Sequence, residues 1–90
     1  IEASRMLTWK SAAEADAGVK NTESAAHAKR FASDAAMQIA TDAVQVYGGY
    51  GYSEEYPVAR LMRAAKVMQI YEGSSQVQRM IIGREITKNL

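Results

Sequence analysis

Cysteine is absent from the 90 residues, which excludes a disulfide framework and any thiolate metal site. Histidine occurs once, at His27, so a His-rich zinc site is excluded as well and no metal is expected. Charge of one sign is also lacking: 11 Lys and Arg stand against 10 Asp and Glu, a formal net charge of +1. That balance gives no electrostatic case for nucleic acid or for an anionic membrane surface. No apolar run approaches the roughly 18 residues needed to span a bilayer. No basic stretch followed by an apolar core marks a signal peptide. The first residue is Ile1 rather than Met, so a fragment or a processed piece is the expectation.

What remains is a globular composition, 48% hydrophobic and 23% charged, enough for one small domain over residues 1–90. A domain of this size buries only about 60–65% of the surface of its unfolded chain and is marginal alone. Alanine is the commonest residue, and Pro57 is the single proline. Both favour helix. Ala3, Met6, Leu7, Ala13 and Ala17 recur at helical spacing, so the first helix spans 1–17. Gly18 reads as its stop, and Asn21-Thr22 as the cap of the next.

Residues 22–47 carry the clearest pattern. Polar residues recur at His27, Arg30, Asp34, Gln38, Thr41 and Gln45, beside a face of Ala28, Ala32, Ala35, Ile39, Ala43 and Val46. Small residues on that face let partner helices approach closely. Residues 48–56, with three glycines among the first four, read as a break and a loop. Pro57 suits the first position of a short helix over about 57–66, with Glu54 and Glu55 near its positive end. Val67 to Tyr71 is rich in β-favouring residues and reads as an extended connector. Ser74 or Ser75 caps a last helix, Ser75 and Gln78 forming a capping-box candidate, with Val77, Met80, Ile81, Ile82 and Ile86 as its apolar arc. The fold class is all-α, an antiparallel helical bundle.

Three sets of residues are candidates for function. Gln45 to Tyr52 joins exposed glycine backbone to tyrosines, which suits a phosphate or a flat ring but equally a tight interhelical turn. It lacks the Lys-Ser/Thr of a P-loop and the preceding strand of a dinucleotide fingerprint. Tyr71 to Gln76 sets a carboxylate, Glu72, before a helix N-terminus rich in hydroxyls and free N–H groups. On physics alone that acid is also a favourable partner for the helix dipole. Arg60, Arg63, Lys66, Arg79 and Arg84 read as a solvated face with scattered ion pairs, and His27 as a surface histidine.

The run from Gln45 to Arg84, QVYGGYGYSEEYPVARLMRAAKVMQIYEGSSQVQRMIIGR, resembles the C-terminal helical domain of the acyl-CoA dehydrogenases. The glycine signature, the Glu-Tyr-Pro and the Ile-Tyr-Glu-Gly-Ser-Ser-Gln-Val-Gln-Arg segment occur in that family's order, and Thr41-Asp42-Ala43-Val44-Gln45 runs into Gly48-Gly49 in its manner. The resemblance covers the whole chain but about the last quarter of a typical member. It implies an FAD enzyme that desaturates an acyl-CoA between the α and β carbons and passes electrons to an electron-transfer flavoprotein. It further implies a homotetramer in the bacterial cytoplasm or the mitochondrial matrix, with a place in fatty-acid β-oxidation.

By residue, the resemblance makes Glu72 the base that removes the α proton. Gln45 and Gly49 touch the FAD of a neighbouring subunit, and Ser74 and Gln76 meet FAD beside the base. Tyr71 lines the thioester end of the pocket, the Glu72 N–H helps hold the thioester carbonyl, and Gly73 leaves room for acyl chain and flavin around the base. The chemistry suits these types. A thioester α-C–H is a weak acid, so its carbonyl must be polarised as the proton leaves. A carboxylate stripped of water becomes a stronger base. One departure is visible: the family usually has Arg-Asp-Ala-Lys where this chain has Arg63-Ala64-Ala65-Lys66, and the lost acid at 64 is expected to affect how the connector to Glu72 is held. Two other classes stay open on sequence alone: a self-assembling helical module without flavin, and an acyl-CoA oxidase relative that hands electrons to oxygen.

Overall fold

A computed structural model describes residues 1–88 and contains five helices, with no strand among them. They are α1 (Glu2–Asp16), α2 (Thr22–Tyr47), α3 (Gly49–Tyr52), α4 (Pro57–Ile70) and α5 (Ser75–Thr87). The all-α expectation holds. At 26 residues, α2 is about 39 Å long, and every other helix packs on it.

Gly18, at φ +73°, ends α1 as expected and turns the chain back. Ile1 and Ser4 therefore lie near Ala35 and Ile39, while Asn21 reaches Ser11. Pro57 is the first residue of α4, where its missing N–H costs nothing. Along the C-terminal half of α2, Val58, Leu61, Ala65 and Met68 of α4 face Ala36, Ile39, Ala40 and Ala43. On the N-terminal half lies α5: Ser75 meets Asp34, and Glu85 pairs with Lys20 at 3.6 Å. The last two helices thus run end to end and antiparallel to α2, and the connector between them sits at their joint.

Four readings of the sequence are corrected. Val67 to Ile70 is not an extended connector but the last turn of α4. Leu61, Ala65 and Met68 recur at i, i+4 and i+7 against α2, and that packing outweighs a weak β preference. Only Tyr71 is extended. Gly49 to Tyr52 is a helical turn inside the expected loop, backed by a Tyr56 ring 5.9 Å from Tyr47 and 5.7 Å from Tyr50. Asn21 stands at the N-cap of α2, but its side chain caps nothing; it donates to Ser11 O and Oγ on α1 instead, each at 3.1 Å. Ser74 caps α5, its Oγ accepting the Val77 N–H at 3.2 Å. Gln78 closes no capping box with Ser75, because its amide reaches back to the connector.

The core is thin. The buried apolar residues among those described are Ala26, Val58, Ala59 and Ala65. Val46 is 84% exposed, Tyr52 82% and Met80 73%. The arc of α5 is likewise half uncovered at Val77 and Ile86. The radius of gyration is 15.8 Å, against about 12 Å for a compact chain of this length. Made alone, the 90 residues should self-associate or bind a hydrophobic dye strongly. A sharp, concentration-independent melt of a species that sediments as a monomer would contradict this.

Candidate functional site

The backbone between α4 and α5 takes a rare path. Glu72 has φ +55° and Gly73 φ +88°. A left-handed glutamate is uncommon and persists only where its surroundings hold it. Here α2 and α5 do so. From α2, Lys29 Nζ donates to Met68 O and to Gly73 O, the latter at 3.5 Å, and stands 5.9 Å over the Tyr71 ring. Met68 O belongs to the last turn of α4, where carbonyls lack helical partners and a cation is favoured. From α5, Gln78 Nε2 lies 3.3 Å from both Glu72 O and Gly73 O.

On the other side of the joint stands Asp34. Its Oδ1 accepts from Gln69 Nε2 at 2.7 Å and from Ser75 Oγ at 2.9 Å. Arg79 and Arg30 approach Oδ2 at 3.5 and 3.9 Å. Partial burial by itself would raise this carboxyl, but the hydrogen bonds from Gln69, Ser75 and Arg79 outweigh it and hold Asp34 below the usual carboxylate range.

The expected site residues fall into two groups. Tyr71, Glu72, Gly73, Ser74 and Gln76 meet at the joint. The Glu72 side chain is exposed, and neither its carboxylate nor its backbone N–H has a hydrogen-bond partner among the described residues. It is therefore no partner for the dipole of α5 by direct contact, and the helix is capped by Ser74 instead. Tyr71 lines an alanine-rich hollow of about 720 Å³ between α1, α2 and α4. Ser74 and Gln76 line a second hollow, with Lys66, Gln69 and Arg79. Glu72 lines neither hollow, but its chain neighbours Tyr71 and Ser74 line one each. Gly73 has a reason inside the chain: beyond its positive φ, a Cβ would stand 2.5 Å from Gln78 Nε2.

Gln45 and Gly49 lie apart, both exposed, at the far end of α2. Sixteen residues separate Gln45 from Lys29, about 24 Å along the helix. The glycines there divide instructively. Gly48 has φ +63°, and a Cβ on Gly51 would meet Val44 O at 2.5 Å. Gly49 has neither constraint; a Cβ there meets nothing within 4 Å. Nothing among the described residues requires this glycine. Ala64 lines the apolar groove between α4 and α2, two turns before the connector. Of the basic set, Arg79 is tied to Asp34, and Arg63 forms an exposed pair with Glu54 at 3.4 Å. Sequence reading assigns no role to Lys29, takes Gln78 only as a capping partner of Ser75, and marks Asp34 only as one of a polar stripe; the partners of Lys29 and Asp34 lie on distant elements, and Gln78 reaches back into the connector instead.

Among the described residues, no helix is long and apolar enough to cross a membrane, and no group of three or more His, Cys, Asp or Glu is placed to hold a metal.

Comparison with known proteins gives consistent matches. The family model for the C-terminal domain of acyl-CoA dehydrogenases matches residues 1–87. Cyclohexane-1-carbonyl-CoA dehydrogenase of Geobacter metallireducens is 58% identical over 98% of this chain and 23% of its own length. The solved butyryl-CoA dehydrogenase of Megasphaera elsdenii superposes with a TM-score of 0.91 at 56% identity, over 96% of this chain and 22% of that one. A chain from the structure of the electron transferring flavoprotein of Acidaminococcus fermentans superposes with a TM-score of 0.90 at 50% identity, over 94% and 22%. The chain thus spans about a fifth to a quarter of the length of these relatives.

Two outcomes are expected from the geometry. In the full-length protein, Gly51→Ala should cost about 1–3 kcal/mol, because the clash is with backbone. In the flavin-free protein, Gly49→Ala should be neutral or raise stability by roughly 0.4–1 kcal/mol; chemical denaturation of both variants after removal of the flavin checks the pair. Asp34 has a depressed folded-state value, so its stabilisation is complete above the unfolded value near 3.8 and is lost as pH falls through the folded one. The difference in melting temperature between wild type and Asp34→Asn should therefore be widest above about pH 5 and shrink steadily below pH 4.

Proposed function

The chain belongs to the acyl-CoA dehydrogenase family as its C-terminal domain, and on that premise we propose that it carries the base of a flavin-dependent acyl-CoA dehydrogenase. The substrate is an acyl-CoA thioester, desaturated between its α and β carbons. The observation that carries this reading is Glu72: a carboxylate with no partner among the described residues, on a left-handed residue held by α2 and α5.

The residues present fit FAD. Gly49 offers backbone that a cofactor can approach and that the chain's own packing leaves open. Ser74 and Gln76 present a hydroxyl and an amide at the N-terminus of α5, beside free N–H groups. Ser74 and Gln76 would hold the flavin beside Glu72. Gln45 and Gly49, about 24 Å away along α2, would hold the flavin of a neighbouring subunit in a homotetramer. FAD, when bound, supplies the hydride acceptor that no side chain offers.

The steps of this chain's own residues follow from their placement. The Glu72 carboxylate takes the α proton. The Glu72 N–H, free of any partner among the described residues, donates to the thioester carbonyl and stabilises the charge that grows on its oxygen. The Glu72 carboxylate is open to water in this chain, so the dryness that strengthens it as a base has to come from what binds around it. For the electron acceptor, an electron-transfer flavoprotein is favoured over oxygen; the likeness to a chain in the Acidaminococcus structure supports it.

Glu72→Gln in the full-length protein keeps the shape and the backbone N–H but removes the base. Flavin and acyl-CoA should still bind, while anaerobic bleaching of the flavin by substrate should fall by roughly 10²–10⁴-fold or more. Bleaching at the wild-type rate would move the base elsewhere.

A further inference from the structure

The two helices on either side of the base are tied to a single oxygen atom. Gln69, in the last turn of α4, and Ser75, the first residue of α5, both donate to Asp34 Oδ1, at 2.7 and 2.9 Å. Only the five residues from Ile70 to Ser74 separate the donors, and Glu72 is the middle one. The arrangement has a cost. To donate to Asp34, the Gln69 amide leaves its own Oε1 buried and without a partner among the described residues, a defect that typically costs about 1–3 kcal/mol. The carboxylate itself is about three-quarters removed from water, its side chain 27% exposed. The opposite edge of the same joint is held by Lys29, through Met68 O and Gly73 O.

We propose that Asp34 is a positioning residue for the reaction: it fixes the ends of α4 and α5 relative to α2, and so sets where the intervening left-handed turn presents the Glu72 carboxylate. The inference rests on the reading of Glu72 as the base. Helix ends released from Oδ1 let the turn between them shift. A general base tolerates little displacement, since about 1 Å of misplacement can cost 10²-fold in rate. The alternative role is stability alone, as a tie between three helices, which acts on the amount of folded, flavin-loaded protein and not on the rate per flavin.

The test is anaerobic flavin reduction by acyl-CoA in the full-length, flavin-loaded protein, expressed per bound flavin. Asp34→Ala should lower that rate by roughly 10–100-fold while substrate binding, followed by the spectral shift of the flavin, changes little. Asp34→Asn retains an oxygen in the place of Oδ1 and should recover most of the rate. The same Asp34→Ala change made in a Glu72→Gln background, where the residual rate is followed over hours, should have almost no further effect, because the base it positions is gone. An equal loss in both backgrounds would mean a structural role and overturn the proposal, as would a wild-type rate per flavin in Asp34→Ala. If Asp34→Ala holds no flavin, Ser75→Ala removes one of the two donors, and an unchanged rate per flavin there overturns the proposal as well. Normal bleaching by Glu72→Gln alone is a separate result: it refutes the base, and the positioning role with it.

Discussion

A single helix, α2, is the surface to which every other element of the chain is referred. It is long enough to accept α4 on one half and α5 on the other, and its alanines let them approach closely. Two helices laid end to end along a third must be joined by a turn that does not continue either. Tyr71 to Gly73 is that turn, and the left-handed pair Glu72 and Gly73 is its consequence. Extended Tyr71 ends α4, and the reversal of hand after it redirects the backbone and exposes the Glu72 N–H and carboxylate together. The strain of a non-glycine residue in that region, of order 1–3 kcal/mol, has to be offset by neighbours. Lys29 and Gln78 supply the offset, with hydrogen bonds to the carbonyls of Met68, Glu72 and Gly73.

The sequence made the helices legible where the pattern was long. Residues 22–47 were bounded correctly because the 3.6-residue period persists through 26 residues, and Gly18 and Pro57 punctuate in the way their backbones demand. Reading failed where short-range preference competed with a distant partner. Val67 and Ile70 favour strands in isolation, yet they complete a helix whose other face is fixed by Ala36 to Ala43 of α2. Asn21 has the right chemistry for a cap but finds Ser11 on a neighbouring helix. Glu72 and its neighbours were identified from their resemblance to a family, not from periodicity. The residues that hold them are 35 to 44 positions away in sequence for Asp34 and Lys29, a separation at which no local pattern carries information.

Stability and function draw on different parts of the chain. Among the described residues, full burial of apolar side chains is confined to Ala26, Val58, Ala59 and Ala65, and small side chains remove little surface from water. At about 25 cal/mol per Å² they cannot by themselves offset the entropy of ordering the chain. The long apolar residues that would do more, such as Val46, Met80 and Ile86, face outward. In a chain spanning 22–23% of its relatives, such faces are natural places for the remaining length or a neighbouring subunit to pack. The joint, by contrast, is built from charges, amides and a hydroxyl: Lys29, Asp34, Gln69, Ser75, Gln78 and Arg79. These groups are directional, so they fix a geometry that hydrophobic contact alone leaves loose.

The distribution of glycine argues the same division at the other end of α2. Gly48 and Gly51 are required by the fold, one through its positive φ and the other because a side chain would strike Val44. Gly49 between them has helical backbone and open space around it. A glycine in such a place destabilises the turn by roughly 0.5–1 kcal/mol relative to alanine, so its presence calls for something outside the chain that comes close. The joint cannot be that partner, for Gln45 is already about 24 Å from Lys29 along a rigid helix. A second ligand contact, made to a different molecule from the one beside Glu72, would satisfy both constraints, as the proposed flavin site shared between subunits requires.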